Sequence, residues 1–85
     1  MNNDRPLSEL KLRAVFVLRL SAEIREDFVG ISRTKSPSAA FDLATIAARV
    51  HGMDSMETIA VAKATRWLAM IRRDHGDKVF EQVVA

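Results

Sequence analysis

The chain has 85 residues, of which 48% are hydrophobic, three are glycine and two are proline. This composition is typical of one compact, mostly helical domain and excludes a disordered chain. Thirteen Lys and Arg against eleven Asp and Glu give a net charge of only +2, which is much less basic than many nucleic-acid-binding domains.

The chain contains no cysteine, which excludes disulfides and thiolate metal sites and fits a cytoplasmic protein. No stretch supplies the roughly 18 uncharged apolar residues that a membrane span needs. The segment "MNNDRPLSEL" has no basic region followed by an apolar run. We therefore expect neither a membrane span nor a signal peptide.

The stretch "LKLRAVFVLRLS" (residues 10–21) fits two periodicities. Counted by two, every residue from Leu10 to Leu20 on one face is apolar, as in a half-buried strand. Counted by three and four, an apolar stripe runs through the same stretch and on to Ile31, as in a helix. The run "VFV" is β-branched and aromatic, which favours a pleated surface. We predict a strand at about residues 15–20.

Two helices are predicted after this strand. Ser21 is followed by an acid and by apolar residues at helical spacing, which predicts a helix over about residues 22–31. Pro37 after a serine begins a second helix, which Gly52 ends. The apolar side chains of this second helix cover well over half of its circumference, which is more than an 85-residue monomer easily buries.

The last third of the chain predicts one long helix and at most a short one. Asp54 and Glu57 have capping-box spacing, and the helix they begin extends to about Arg73. The segment "DKVFEQVVA" predicts at most a short closing helix. Together these features predict a single domain with a flexible arm (1–9), a core (10–52) and a helical extension (53–85).

The segments "VFVLRLSAEIREDFVGI" and "SPSAAFDLA" resemble the ribbon-helix-helix family of dimeric repressors, which includes the Arc and methionine repressors. The shared pattern is a strand that ends basic-apolar at Arg19-Leu20, a serine and an acid at the helix start, and apolar residues four and three apart. A second helix then begins Ser-x-Ser. The resemblance covers about residues 15–50.

The resemblance implies a mainly α fold, a ribbon-helix-helix dimer with one N-terminal strand and two helices, here with an additional C-terminal helical segment. In such a homodimer the strands of two chains pair antiparallel, and the two-stranded ribbon enters the major groove of double-stranded DNA. The implied function is that of a transcriptional repressor or a DNA-processing accessory factor.

The same resemblance implies where DNA would be contacted. The outward face of the strand would reach bases and thymine methyl groups, and its edge would reach phosphates. The start of the second helix would hold a phosphate. The expected contact residues are Arg13, Val15, Val17, Arg19, Lys35 and Ser36. The alternative for the basic residues of the strand is protection against aggregation, and the alternative for Ser36 is ordinary helix capping.

A second interpretation belongs to a different class of protein. If residues 7–31 form one amphipathic helix, the chain is an all-α small helical bundle. It would then act as a protein–protein interaction module, an adaptor or inhibitor, without binding DNA. In either fold the C-terminal helix could contact a protein partner.

No pattern predicts catalysis, a cofactor or a metal. Lys63, Arg66 and Arg73 form a basic arc that we interpret as a solvated helix face. Trp67 and the nearby methionines are expected in core or dimer packing. Neither histidine has a second ligand at useful spacing, and no nucleophile elbow or phosphate-binding glycine loop is present.

Overall fold

The computed structural model describes residues 5–85, and these residues form six helices and no strand. Residues 1–4, which belong to the predicted arm, lie outside the described part; α1 begins within the arm, at Leu7. The helices are α1 (Leu7–Arg13), α2 (Val15–Leu18), α3 (Ala22–Thr34), α4 (Pro37–Val50), α5 (Ser55–His75) and α6 (Asp77–Val84).

The predicted strand is wrong, and with it the ribbon-helix-helix fold. Residues 7–18 run as α1 and α2 with a break only at Ala14, whose N–H still bonds to the carbonyl of Leu10 at 3.0 Å. The all-α small bundle is consistent with the structure. The bundle interpretation expected one long helix over residues 7–31. In the structure this segment forms three helices, because the chain breaks at Ala14 and again leaves the helical conformation around Ser21.

The helical stripe, and not the alternating pattern, determines which side chains are buried here. Leu10, Ala14 and Val17 are fully buried, whereas Leu12 and Phe16 from the alternating face are exposed. A helix satisfies its own backbone hydrogen bonds, whereas a strand needs a partner strand. The preference of "VFV" for strands is weak beside this requirement, since strand propensity depends on context.

The later helices follow the sequence closely. Helix α4 begins at Pro37, as predicted, and ends in a Schellman motif in which the N–H of Met53 bonds to Ala48 (3.0 Å) and Gly52 has a φ of 76°. Only a residue without a Cβ adopts that φ readily. Helix α5 begins with the predicted capping box. Helix α3 begins after Ser21 as predicted, although the serine side chain makes no capping bond.

Helix α5 lies at the centre of the molecule and contacts the other five helices. The large buried side chains come from several helices and include Leu10, Phe28, Leu68, Ile71 and Phe80. These side chains belong to one hydrophobic core.

Polar bonds attach α3 to its neighbours. Arg72 on α5 donates from Nε to the carbonyl of Ser32 (2.9 Å) and from Nη2 to that of Lys35 (2.8 Å), which satisfies carbonyls at the end of α3. Arg33 binds Glu81 on α6 through two bonds of 2.8 and 3.0 Å. The hydrogen bonds from Arg33 lower the pKa of Glu81. The Arg33–Glu81 ion pair is therefore present at neutral pH and is lost as the pH falls through that lowered pKa.

Candidate functional site

Helix α4 has two apolar faces, of which only one is covered. Its inner face consists of Ala40, Ala44 and Ala48, which are fully buried. Its outer face carries three larger side chains that no other helix covers. The α4 stripe, as we name it, consists of Leu43, Ile46 and Val50, with 36%, 59% and 80% of the residue surface exposed.

The spacing within the α4 stripe is that of a helix–helix contact. Its residues lie three and four positions apart, so they point in nearly the same direction along two turns. This is the a/d spacing of paired helices, in which each apolar side chain inserts between those of the facing helix. The stripe therefore has the form of one half of a helix pair.

Two charged residues flank the stripe. Asp42 and Arg49 lie seven positions apart on the same side of it, and both are exposed. Neither forms an ion pair with another described residue. The flank thus offers one free acid and one free base at the positions that form ion pairs between paired helices.

A groove of about 650 Å³ lies between α4 and the start of α5. The hydroxyls of Thr45 and Thr58 in its wall donate to the backbone carbonyls of Phe41 and Met53, and Asp54 is engaged in the capping box. These three polar side chains are engaged in helix structure, which leaves Arg49 and Ser55 as the other polar residues of a largely apolar groove. Its lining residues are Phe41, Thr45, Arg49, Met53, Asp54, Ser55, Thr58 and Ile59.

The residues expected to contact DNA do not form one surface. Val17 is fully buried in the core and Val15 is half-buried, so neither lies on an outward face. Arg19 is exposed at the end of α2. Lys35 is exposed at the end of α3, and Ser36 caps α4 by accepting a bond from the N–H of Ala39 (3.4 Å).

Arg13 lies in a different group, around Trp67. The guanidinium carbons of Arg13, Arg5 and Arg66 lie 4.8, 5.3 and 5.4 Å from the centre of the Trp67 ring. Arg5 and Arg13 also form ion pairs with Glu9, at 3.3 and 3.5 Å. Such cation–π contacts hold the indole and the three cations together.

Sequence reasoning missed both of these arrangements. It found more apolar surface on α4 than a monomer easily buries, but a helical wheel does not show which of these residues stay uncovered. It treated Arg66 as part of a solvated face, although the adjacent Trp67 offers a ring for a guanidinium to cover. The contributions of Arg5 and Arg13 follow from the return of α1 onto α5, which no local pattern shows.

Other site classes find no support among residues 5–85. No group of three or more potential metal-ligating side chains is present in that range. His51 contacts Asp27 (2.7 Å) and packs at 5.9 Å from the Phe28 ring, while His75 contacts the carbonyl of Arg5 (3.0 Å). None of the described helices combines the length and the apolar character that crossing a membrane requires.

Comparison with known proteins identifies no relative. No protein-family model matches the chain, and no curated protein or solved structure matches it.

Proposed function

We propose that this protein is a small all-helical protein–protein interaction module whose α4 stripe pairs with the same stripe of a second copy. The main observation in support is that Leu43, Ile46 and Val50 are exposed at the spacing of a helix pair. Apolar patches of this kind on small proteins mark interaction sites. A chain of 85 residues also has little core of its own, so association adds stability that the monomer lacks.

A twofold, antiparallel arrangement makes the stripe complementary to itself. With the axis at Ile46, the two copies of Ile46 meet, and Leu43 of each chain lies within one residue step of Val50 of the other. The same axis brings Asp42 within one residue step of Arg49 of the other chain, in both directions, which side chains of this length can span. A twofold contact requires such self-complementarity, and it satisfies the acid and the base that have no partner within the described chain.

This contact replaces the ribbon as the proposed site of dimerisation. The homodimer expected from the sequence needed a strand at residues 15–20, and that segment is helical. A two-stranded ribbon in the major groove is therefore not part of the proposal. The pairing of α4 explains instead why this helix carries more apolar surface than the monomer buries.

Sedimentation velocity of wild type and Ile46→Glu tests the proposal. We expect wild type to show a concentration-dependent dimer. Ile46→Glu should remain a monomer over the same range up to millimolar concentration, because each dimer would hold two facing carboxylates in an apolar contact. Circular dichroism should show unchanged helix content, since the side chain at position 46 is not part of the core.

Leu12→Glu is the matched control. Leu12 lies on α1 and is 73% exposed, so the substitution adds the same charge to another exposed apolar position. It should leave the dimer intact. A monomeric wild type, or equal loss of dimer in both variants, would contradict the proposal.

A further inference from the structure

A second surface lies at the other end of α4, and its chemistry differs from that of the α4 stripe. A pocket of about 550 Å³ is formed where the start of α4 meets the second half of α5. Its walls include Arg5, Arg66, Arg73, Trp67 and Ser38. A volume of this size accommodates a small ligand, and three of the five named side chains are cationic.

Arg66 is the central group of this pocket. Its Nε is enclosed by the protein, and neither this atom nor the two Nη groups bond to an acceptor among the described residues. Its guanidinium carbon lies 5.4 Å from the centre of the Trp67 ring and 6.0 Å from that of the Phe41 ring, and it forms no ion pair with a described carboxylate. These cation–π contacts help to position the cation, but they do not use the planar N–H donors that suit a phosphate or carboxylate.

The N-terminus of α4 adds donors of a second kind. This 14-residue helix begins at Pro37, so the first N–H of the helix belongs to Ser38 and has no intrahelical acceptor. The side chain of Ser36 already bonds to the N–H of Ala39. Ser38 and the other first residues of α4 line the same pocket as Arg66, so the positive end of the helix dipole is next to that cation.

The charge of the group favours an anion with two negative charges. Three guanidiniums surround Trp67, and one carboxylate, that of Glu9, pairs with two of them. Arg73, also in the wall, is paired with Asp74 at 2.8 Å and adds no net charge. The cluster around Trp67 thus retains two net positive charges, which match a phosphate monoester near neutral pH.

We propose that this pocket binds the phosphate group of a phosphorylated organic molecule, with Arg66 and the N–H of Ser38 as its donors. The half-buried indole of Trp67 and the side chain of Met70 supply apolar surface for the organic part. The phosphate has two possible sources with the same chemistry, a free mononucleotide and the end of a single-stranded nucleic acid. This site does not depend on the pairing of α4.

Fluorescence of Trp67 provides a direct measurement, because it is the only tryptophan in the chain. Full-length protein is titrated at constant ionic strength with AMP, with adenosine, and with a short 5′-phosphorylated single-stranded DNA. We expect a saturable change with AMP and none with adenosine. Saturation by the DNA alone would assign the phosphate to a nucleic-acid end, provided that the variants below respond as expected.

Arg66→Ala should weaken the binding of AMP by about tenfold or more, since it removes a charge-assisted contact. Lys63→Ala is the matched control: it removes the same charge from the exposed face of α5, one turn away, and should leave the titration unchanged. Arg66→Lys keeps the charge and the alkyl stem but loses the planar donors, so we expect a several-fold loss even if Arg66→Ala does not fold.

The proposal is overturned if neither AMP nor the DNA produces a saturable change. It is also overturned if Lys63→Ala weakens binding as much as the substitutions at Arg66 do. Ile46→Glu should titrate as wild type does, so that failure of the α4 pairing and failure of the phosphate site are separate results.

Discussion

The two faces of α4 differ in a way that reverses the usual amphipathic helix. The fully buried residues of the inner face are all alanines, Ala40, Ala44 and Ala48, and Phe41 is the one large α4 side chain that packs against the core, where it is partly buried. The outer face presents Leu43, Ile46 and Val50 to solvent. A helix that only packs onto its own core places its larger apolar side chains inside and polar ones outside.

The small inner residues let α4 approach α5 closely, so the core of the monomer does not include the large residues of the α4 stripe. Their position outside requires another explanation, and helix pairing supplies one. The two faces of α4 thus serve different contacts. The inner face packs within the monomer, and the outer face is the one proposed to join two monomers.

A larger side chain on the inner face of α4 should have the largest effect, which is a loss of monomer stability. Ala44→Leu inserts three extra carbons into a fully buried position and should lower the free energy of unfolding by about 1–3 kcal/mol, because a packed contact has no space for them. Urea denaturation followed by circular dichroism, at a concentration where the protein is monomeric, measures the change.

The matched substitution on the outer face is Ile46→Ser, which should change the unfolding free energy of the monomer by less than about 0.5 kcal/mol. Equal destabilisation by Ala44→Leu and Ile46→Ser would show that both faces are needed within one chain. The division of the two faces between fold and association would then be incorrect.

Exchanging the charges beside the α4 stripe should have a smaller effect, and this effect should be on the stability of the dimer. Asp42→Arg places like charges opposite each other and should weaken the dimer by roughly five- to tenfold at low salt. Adding Arg49→Asp restores the pairing with reversed polarity, so the double variant should associate as wild type does. Sedimentation equilibrium measures both constants.

Asp42→Arg combined with Lys63→Asp is the control for net charge, since it has the same total charge as the double variant without restoring the pairs. It should stay as weak as the single variant. Recovery in this control would show that overall charge, and not the pairing of positions 42 and 49, governs association.

Much of α3, α4 and α5 was predictable because local chemistry determines where they begin and end. Pro37 can only sit at a helix start without cost, and Gly52 supplies the positive φ that closes the α4 end. Asp54 and Glu57 satisfy backbone donors within four residues. These signals do not depend on which other helices are nearby.

Residues 10–20 were not predictable in the same way, because two patterns share the same leucines. The choice depends on whether a partner strand or a helical neighbour is available, and α5 provides the neighbour that buries Leu10, Ala14 and Val17. Strand propensity at "VFV" could not decide against this tertiary contact.

The candidate sites were predictable only in part. The excess of apolar residues on α4 was visible in the sequence, but which of them stay exposed depends on the placement of α3 and α5. Likewise Ser36 was expected near a phosphate, whereas its nearness to Arg66 in one pocket depends on the packing of α4 against α5. When the residues of a site come from distant parts of the chain, no local spacing in the sequence predicts that they will lie together.

Oxidative cross-linking is the most direct test of the twofold pairing of α4. The chain has no cysteine, so Ile46→Cys and Val50→Cys each carry a single thiol. With the axis at position 46, the two thiols of Ile46→Cys lie side by side. Those of Val50→Cys are separated by eight residues along the paired helices, about 12 Å, which is beyond the reach of a disulfide.

We predict that Ile46→Cys forms a covalent dimer much faster than Val50→Cys under the same oxidant and protein concentration. Random collision favours the opposite order, because Val50 is the more exposed of the two positions. Faster cross-linking of Val50→Cys, or equal rates for both variants, would contradict the pairing of α4 about Ile46.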